Sequence, residues 1–248
     1  MIKIITLITK FIIVTLTALL FASCNFNHSI HIGDGIDGNG NVTTKTRSAN
    51  GNFTSVKASN GLDVVLVQSE TKSITVEADE NLQKHIITKV ENGVLIVETD
   101  ENIDESKSKK ITVKLPEIKE LQSSSGANIK SLNVLKGETI KIKASSGSEI
   151  EVSLEVDSII CESSSGSSIN INGKALSLET AASSGSEIDA AKLFANDITA
   201  QASSGSSTNV HPIVSLNAKA SSGSSIDYNH VPKKITKAES SGGSVSEE

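Results

Sequence analysis

The sequence predicts an all-β protein: a parallel β-solenoid with rungs of about 19 residues, preceded by a β-rich capping region. Three observations carry this. A Ser-Ser-Gly phrase returns with its glycines at Gly126, Gly147, Gly166, Gly185, Gly205, Gly223 and Gly242, separated by 21, 19, 19, 20, 18 and 19 residues. Apolar or small residues recur at fixed offsets from each glycine and alternate with period two, the strand signature. Finally, with 37% hydrophobic residues, 2% aromatic residues and no Trp, the chain is better supplied for ladders of aliphatic side chains than for one large core.

The columns define the rung. Seven residues before the glycine stand Ile140, Ile159, Leu178, Ile198, Leu216 and Ile235; five before stand Ile142, Cys161, Thr180, Ala200 and Ala218; three before stand Ala144, Ser163, Ala182, Ala202 and Ala220. Three after it come Ile129, Ile150, Ile169, Ile188, Thr208, Ile226 and Val245, and five after come Val152, Ile171, Ala190, Val210 and Tyr228. A disordered Ser-rich tract has no reason to keep such phase. Helical repeats need longer units and a 3.6-residue period, and leucine-rich repeats need runs of Leu with Asn. The glycine marks a corner whose backbone angle a side chain would resist. Cys161 shares a core column with Ile, Thr and Ala, which makes it a small buried filler rather than a nucleophile.

Two outward columns follow the corner. The sets Asn128, Glu149, Ser168, Glu187, Ser207, Ser225 and Lys130, Glu151, Asn170, Asp189, Asn209, Asp227 place acids on alternate rungs. Alternation relieves repulsion between carboxylates stacked at about 5 Å. The same row is also a candidate binding stripe, formed by Glu149, Glu151, Asn170, Glu187, Asp189, Asn209 and Asp227, for calcium or an extended glycan.

Before the repeat, residues 53–121 form the β-rich capping part, with residues 122–248 as the solenoid proper. Phe53 to Val64 echoes the repeat, with Asn60-Gly61 at the corner, and reads as an early, divergent rung. Strands are expected at Asp63 to Gln68, Ser73 to Ala78, Ile87 to Glu91, Val94 to Thr99 and Ile111 to Leu115. Asn92-Gly93 marks a hairpin turn, Asp79 to His85 one helical turn capped by Asp79, and Glu101 to Lys110 a charged loop. This part covers the first rung and blunts its edge.

At the amino terminus, Lys3 and Lys10, an apolar run from Phe11 to Phe21, and Ala22-Ser23-Cys24 follow the order of a secretory signal peptide spanning residues 1–23. Small residues before a cysteine resemble the lipobox of bacterial lipoproteins, which implies acylation of Cys24 and attachment to the membrane. Asn25 after the cysteine resembles the outer-membrane sorting signal, so the outer membrane or cell surface is the expected address, with a periplasmic-facing position as the alternative. Residues 24–52, polar and glycine-rich, read as the lipidated cysteine and a flexible tether. His28 and His31 with Asp34 and Asp37 fit no strong metal spacing.

Gly61-Leu62-Asp63-Val64, the strands flanking Asn92-Gly93-Val94-Leu95, and the Ser-Ser-Gly-Ser-x-Ile phrases resemble the head GIN domain family, a domain of putative auto-transporter adhesins of the cell envelope, over roughly residues 53–242. In that family the phrase usually reads Ser-Gly-Ser-Gly-Asp-Ile; here Glu or Ser stands for Asp, and Ser for the second Gly. The resemblance implies a right-handed parallel β-solenoid and an adhesive role, and it supplies no catalytic residues.

The formal charge of -6 and a single arginine, Arg47, argue against nucleic acid as a partner. An enzyme acting on polysaccharides needs a base, a charge-neutralising group and an orienting group together. The lysines are scattered, His211 and His230 sit at rung ends beside Pro212 and near Pro232 as turn residues, and Glu149 and Glu151 project side by side. An ice-binding face would favour Thr ladders over Ser. The reading is thus a non-catalytic envelope lipoprotein presenting a rigid solenoid for adhesion or polysaccharide binding. Its alternatives are a polysaccharide-active β-helix enzyme and an envelope scaffold that binds a protein partner. No catalytic residue, metal site or cofactor is assigned.

Overall fold

The computed structural model describes residues 35–48 and 51–248. The capping strands are β1 (Val42–Arg47), β2 (Ser55–Ala58), β3 (Asp63–Gln68), β4 (Ser73–Asp79), β5 (Ile86–Glu91), β6 (Val94–Thr99) and β7 (Lys109–Leu115). Then come β8 (Glu120–Ser123), β9 (Asn128–Ser131), β10 (Leu135–Ala144), β11 (Glu149–Ser163), β12 (Ser168–Ala182), β13 (Glu187–Ala202), β14 (Ser207–Ala220), β15 (Ser225–Tyr228), β16 (Lys234–Glu239) and β17 (Ser244–Glu247). From β8 onward every pairing is parallel and joins equivalent positions of successive rungs, Ile150 to Ile169 and Ile169 to Ile188 among them. The strands stack as a parallel β-solenoid, as the repeat requires.

All the predicted core columns point inward and are buried, except that Ile235 on the last rung is 37% exposed. In β11 and β12 the parity of burial slips once: in β11 the buried residues are Ile150, Val152, Leu154 and Val156, then Ile159, Cys161 and Ser163, with exposed Asp157 at the slip. That slip is the second corner. Burial pushes the Cys161 thiol far above its ordinary range, consistent with an inert filler.

The first corner is a two-residue device. Serine and glycine both take positive φ in every copy, 54° and 68° for Ser146 and Gly147, and Asn60 (60°) with Gly61 (66°) forms the same corner one rung earlier. With Ser148 N–H donating to Ser145 C=O (3.3 Å), this is a type I′ turn. Successive corners are bonded to each other, Gly147 N–H to Ser165 C=O and Gly166 N–H to Ser184 C=O, both at 3.1 Å. The serine after the glycine is buried and closes the turn. Ser148 Oγ accepts from Ser145 N–H (3.1 Å) and donates to Ser123 C=O of the preceding rung (2.8 Å). Ser145 N–H and Ser123 C=O are also bonded to each other (3.0 Å), so the last hydroxyl of the Ser-Ser-Gly-Ser phrase is buried without an unpaired polar atom and ties the corner to the rung below it.

The cap is built out of chain order. β2 and β3 form the divergent first rung, pairing with β8 and β9 on one side, while β6 and β7 stack parallel on its other side. β5 then covers β6, β4 covers β7 and β1 covers β4, all antiparallel. Two expectations change here. Val42–Arg47, read as tether, is a strand, because its Val and Thr residues suit the free edge of β4 and register from Val42↔Asp79 to Arg47↔Ile74. Asp79 caps no helix: residues 80–85 form consecutive turns, and Asp79 ends β4 with its buried carboxylate turned to the Lys107 and Ser108 N–H groups at 2.8 and 3.3 Å.

At the far end the last rung places charges in core columns. Lys237 stands where other rungs carry Ile, Cys, Thr or Ala, with its Nζ over the Tyr228 ring at 4.6 Å and donating to Tyr228 Oη and Val245 C=O. Glu239, in the alanine column, accepts from Val245 N–H at 2.7 Å. Inward charges of this kind close a hydrophobic stack without leaving a sticky edge.

Candidate functional site

The outward stripe forms as two in-register ladders on the strands that follow the serine corner. One runs Asn128, Glu149, Ser168, Glu187, Ser207, Ser225; the other runs Lys130, Glu151, Asn170, Asp189, Asn209, Asp227. Glu149, Glu151 and Glu187 are exposed, and Asn170, Asp189, Asn209 and Asp227 are half-buried. All seven predicted residues therefore share one face.

Their chemistry is hydrogen bonding along the face. Asp189 Oδ1 accepts from Ala191 N–H (3.0 Å), Asp227 Oδ1 from Ser246 Oγ (2.6 Å), and Asn128 Nδ2 donates to Asp63 Oδ1 (2.9 Å). Among the described residues no three His, Cys, Asp or Glu side chains converge on one point. At the cap end the acids meet lysines instead. Glu149 and Glu151 border a shallow cavity of about 400 Å³ that Asp63, Lys109, Lys110 and Lys130 also line. This mixed-charge hollow is invisible in sequence, because β7 reaches the stripe only through the out-of-order stacking of the cap.

Two further features escaped the sequence reading. On the strands before the corner, two grooves of about 460 and 510 Å³ share Ala181 and Ser183 and run along the serine corners. At the second corner, His211 and His230 do more than turn the chain. Phe194 pairs with His211 in register, and three rings adjoin: Phe194 and His211 meet edge to face (centroids 4.5 Å, 66° between planes), and His211 and His230 are tilted by 32° with centroids 5.2 Å apart. His211 lies within β14; His230 follows β15 in a bend, its Nδ1 donating to Pro212 C=O at 2.9 Å. Cys24, His28, His31 and Asp34 lie outside the described residues. Asp37, the fourth of the amino-terminal group, is exposed and its C=O accepts from Asn81 Nδ2.

The architecture is a parallel β-solenoid with a hydrogen-bonding flank and a cap closed by antiparallel strands. Residues 52–232 match the family described as "Putative auto-transporter adhesin, head GIN domain", and the chain belongs to that family. Its fold is shared with a "putative adhesin" from Bacteroides fragilis: 17% identity, 86% of this chain and 100% of that one, TM-score 0.81. A second "putative adhesin", from Parabacteroides merdae, has 23% identity, covers 87% of this chain and 100% of that one, and has a TM-score of 0.70. A "Putative lipid binding protein" from Parabacteroides distasonis has 20% identity, covers 86% and 99%, and also has a TM-score of 0.70. No curated protein shows significant similarity.

Proposed function

We propose that the chain is a non-catalytic lipoprotein of the cell envelope, held to the membrane by acyl chains on Cys24, whose solenoid binds polysaccharide at the outer membrane or cell surface. The observation that carries this reading is the outward flank: acids, Ser and Asn in register over successive rungs, with no part in the core. A repeating ladder suits a repeating ligand, since many weak, equivalent contacts add through multivalency. Family membership and the names of its structural relatives support adhesion. Glu149 and Glu151 are exposed neighbours on one strand, which does not supply the facing pair that glycosidic cleavage uses.

The test is binding of the chain from Asn25 onward to an array of host and bacterial glycans, with and without calcium, followed by analysis of bound glycans for cleavage. Retention without cleavage is expected. Cleavage would replace the adhesin with an enzyme, and absence of binding would leave a scaffold for a protein partner. Glu187→Gln alone is expected to change affinity by less than about threefold, because one contact in a multivalent row contributes little.

A further inference from the structure

Phe194 is 52% exposed in a chain with five Phe, one Tyr and no Trp, so a large apolar ring is spent outside the core. It is the centre of one outward ladder that crosses the rungs at the second corner. Lys136 pairs with Glu155, Glu155 with Lys174, Lys174 with Phe194, and Phe194 with His211, whose ring meets His230 on the next rung. Half of this ladder is ionic: Lys136 Nζ lies 3.0 Å from Glu155, and Lys174 holds the other carboxylate oxygen. The other half is aromatic.

Local backbone geometry aims the ring outward. The register shifts between Asn170 and Asn172 on one side and between Ala190 and Phe194 on the other, so β13 is bulged immediately before Phe194. A bulge re-aims the side chain beside it. Beside the ring is a cavity of about 390 Å³, bordered by Glu155, Asp157, Lys174, Leu176 and Asn196. Leu176 there is 56% exposed, so an apolar wall stands beside donors and acceptors.

We propose that this ring ladder and its cavity form a binding site for a chain of neutral sugars. Sugar rings carry apolar C–H faces and a rim of hydroxyls. The exposed Phe194 ring offers an apolar face, steadied by its edge-on contact with His211 (66° between planes), while Asn196 and Lys174 donate and Glu155 and Asp157 accept from hydroxyls. Charge complementarity selects the neutral class. Lys136 and Lys174 are balanced by Glu155 and Asp157, so the site has no excess charge to desolvate against an acidic polymer. This inference rests on the polysaccharide reading above and moves the principal contact from the acidic stripe to the second corner.

The test is native affinity electrophoresis of the chain from Asn25 onward in gels containing soluble β-glucan, α-mannan or polygalacturonate. Retardation by a neutral polymer is expected, with Phe194→Ala weakening it by about tenfold. Glu179→Gln, at an exposed position outside both the stripe and the ring ladder, should retain wild-type mobility. An unchanged melting temperature for Phe194→Ala establishes that the fold is intact, and shifts of the His211 and His230 imidazole resonances on adding the polymer provide the second readout. Equal retardation of Phe194→Ala and wild type, unmoved imidazole resonances, or retardation by polygalacturonate alone would overturn the ring site while leaving polysaccharide binding in place. No retardation of the wild type by any of the three polymers would overturn both.

Discussion

Gly173→Ala is expected to be the most damaging single substitution in the solenoid, costing about 4 kcal/mol or more. Gly173 has φ of 119°, and a Cβ there would lie 2.0 Å from the Leu154 carbonyl oxygen on the adjoining strand. That atom belongs to the backbone of the β11–β12 ladder, where Leu154 registers on Gly173, so it cannot swing aside as a side chain would. The strand must move or the ladder must break. At Gly185 a Cβ meets nothing within 4 Å, and only the left-handed φ of 68° is at issue. Gly185→Ala should therefore cost about 1–2 kcal/mol, Gly185→Val more because of its branched Cβ, and Gly185→Asn less than Ala, since Asn60 and Asn92 already adopt left-handed angles in this chain. Urea unfolding followed by far-ultraviolet circular dichroism gives the order. If Gly173→Ala unfolded at the same midpoint as Gly185→Asn, the close approach at Leu154 would be refuted, and a Gly185→Val protein as stable as wild type would defeat the corner.

The contrast between these glycines shows what the sequence made legible. Gly185 is announced by seven copies of one phrase, and a strand period of two locates every buried column beside it. Asn60-Gly61 was readable as a divergent rung for the same reason: its φ values of 60° and 66° repeat the corner chemistry. Gly173 occurs once, opposite Leu154 and Leu193, and its need for space arises from a neighbouring backbone that no local pattern reveals. Phe194 was missed because the bulge before it breaks the parity that assigned the other outward residues. The stripe residues were found because they sit within four residues of the corner, before any bulge intervenes. The cap's order was hidden more deeply. Stacking β6 and β7 on the outer side of β2 and β3 is a non-local choice, and segments of similar β propensity do not encode it by period.

Asp79→Ala tests that cap and should cost about 2–3 kcal/mol. The residue is fully buried, and its Oδ2 receives the N–H groups of Lys107 and Ser108, while its C=O accepts from Leu82 and Gln83 at 2.9 and 3.2 Å. Gly38 lies so close that a Cβ there would come within 2.6 Å of the carboxylate. One side chain thus joins the amino-terminal segment, the end of β4 and the loop entering β7. Alanine removes the acceptor and leaves two N–H groups in a space too small to hydrate well, whereas Asp79→Asn keeps an acceptor oxygen and should lose less than half as much. Because stacked rungs contact only their neighbours, the damage should stay local. Hydrogen exchange is expected to quicken in β1, β4 and residues 100–108 while β12 and β13 keep their protection. Uniform quickening would mean that the cap and rungs unfold as one unit, and no change would remove Asp79 from its holding role. The local outcome carries a further consequence: with β4 loosened, the outer edge of β7 is bared, and an unpaired edge recruits strands. Asp79→Ala should therefore associate at concentrations where the parent stays dispersed, a difference that sedimentation velocity resolves.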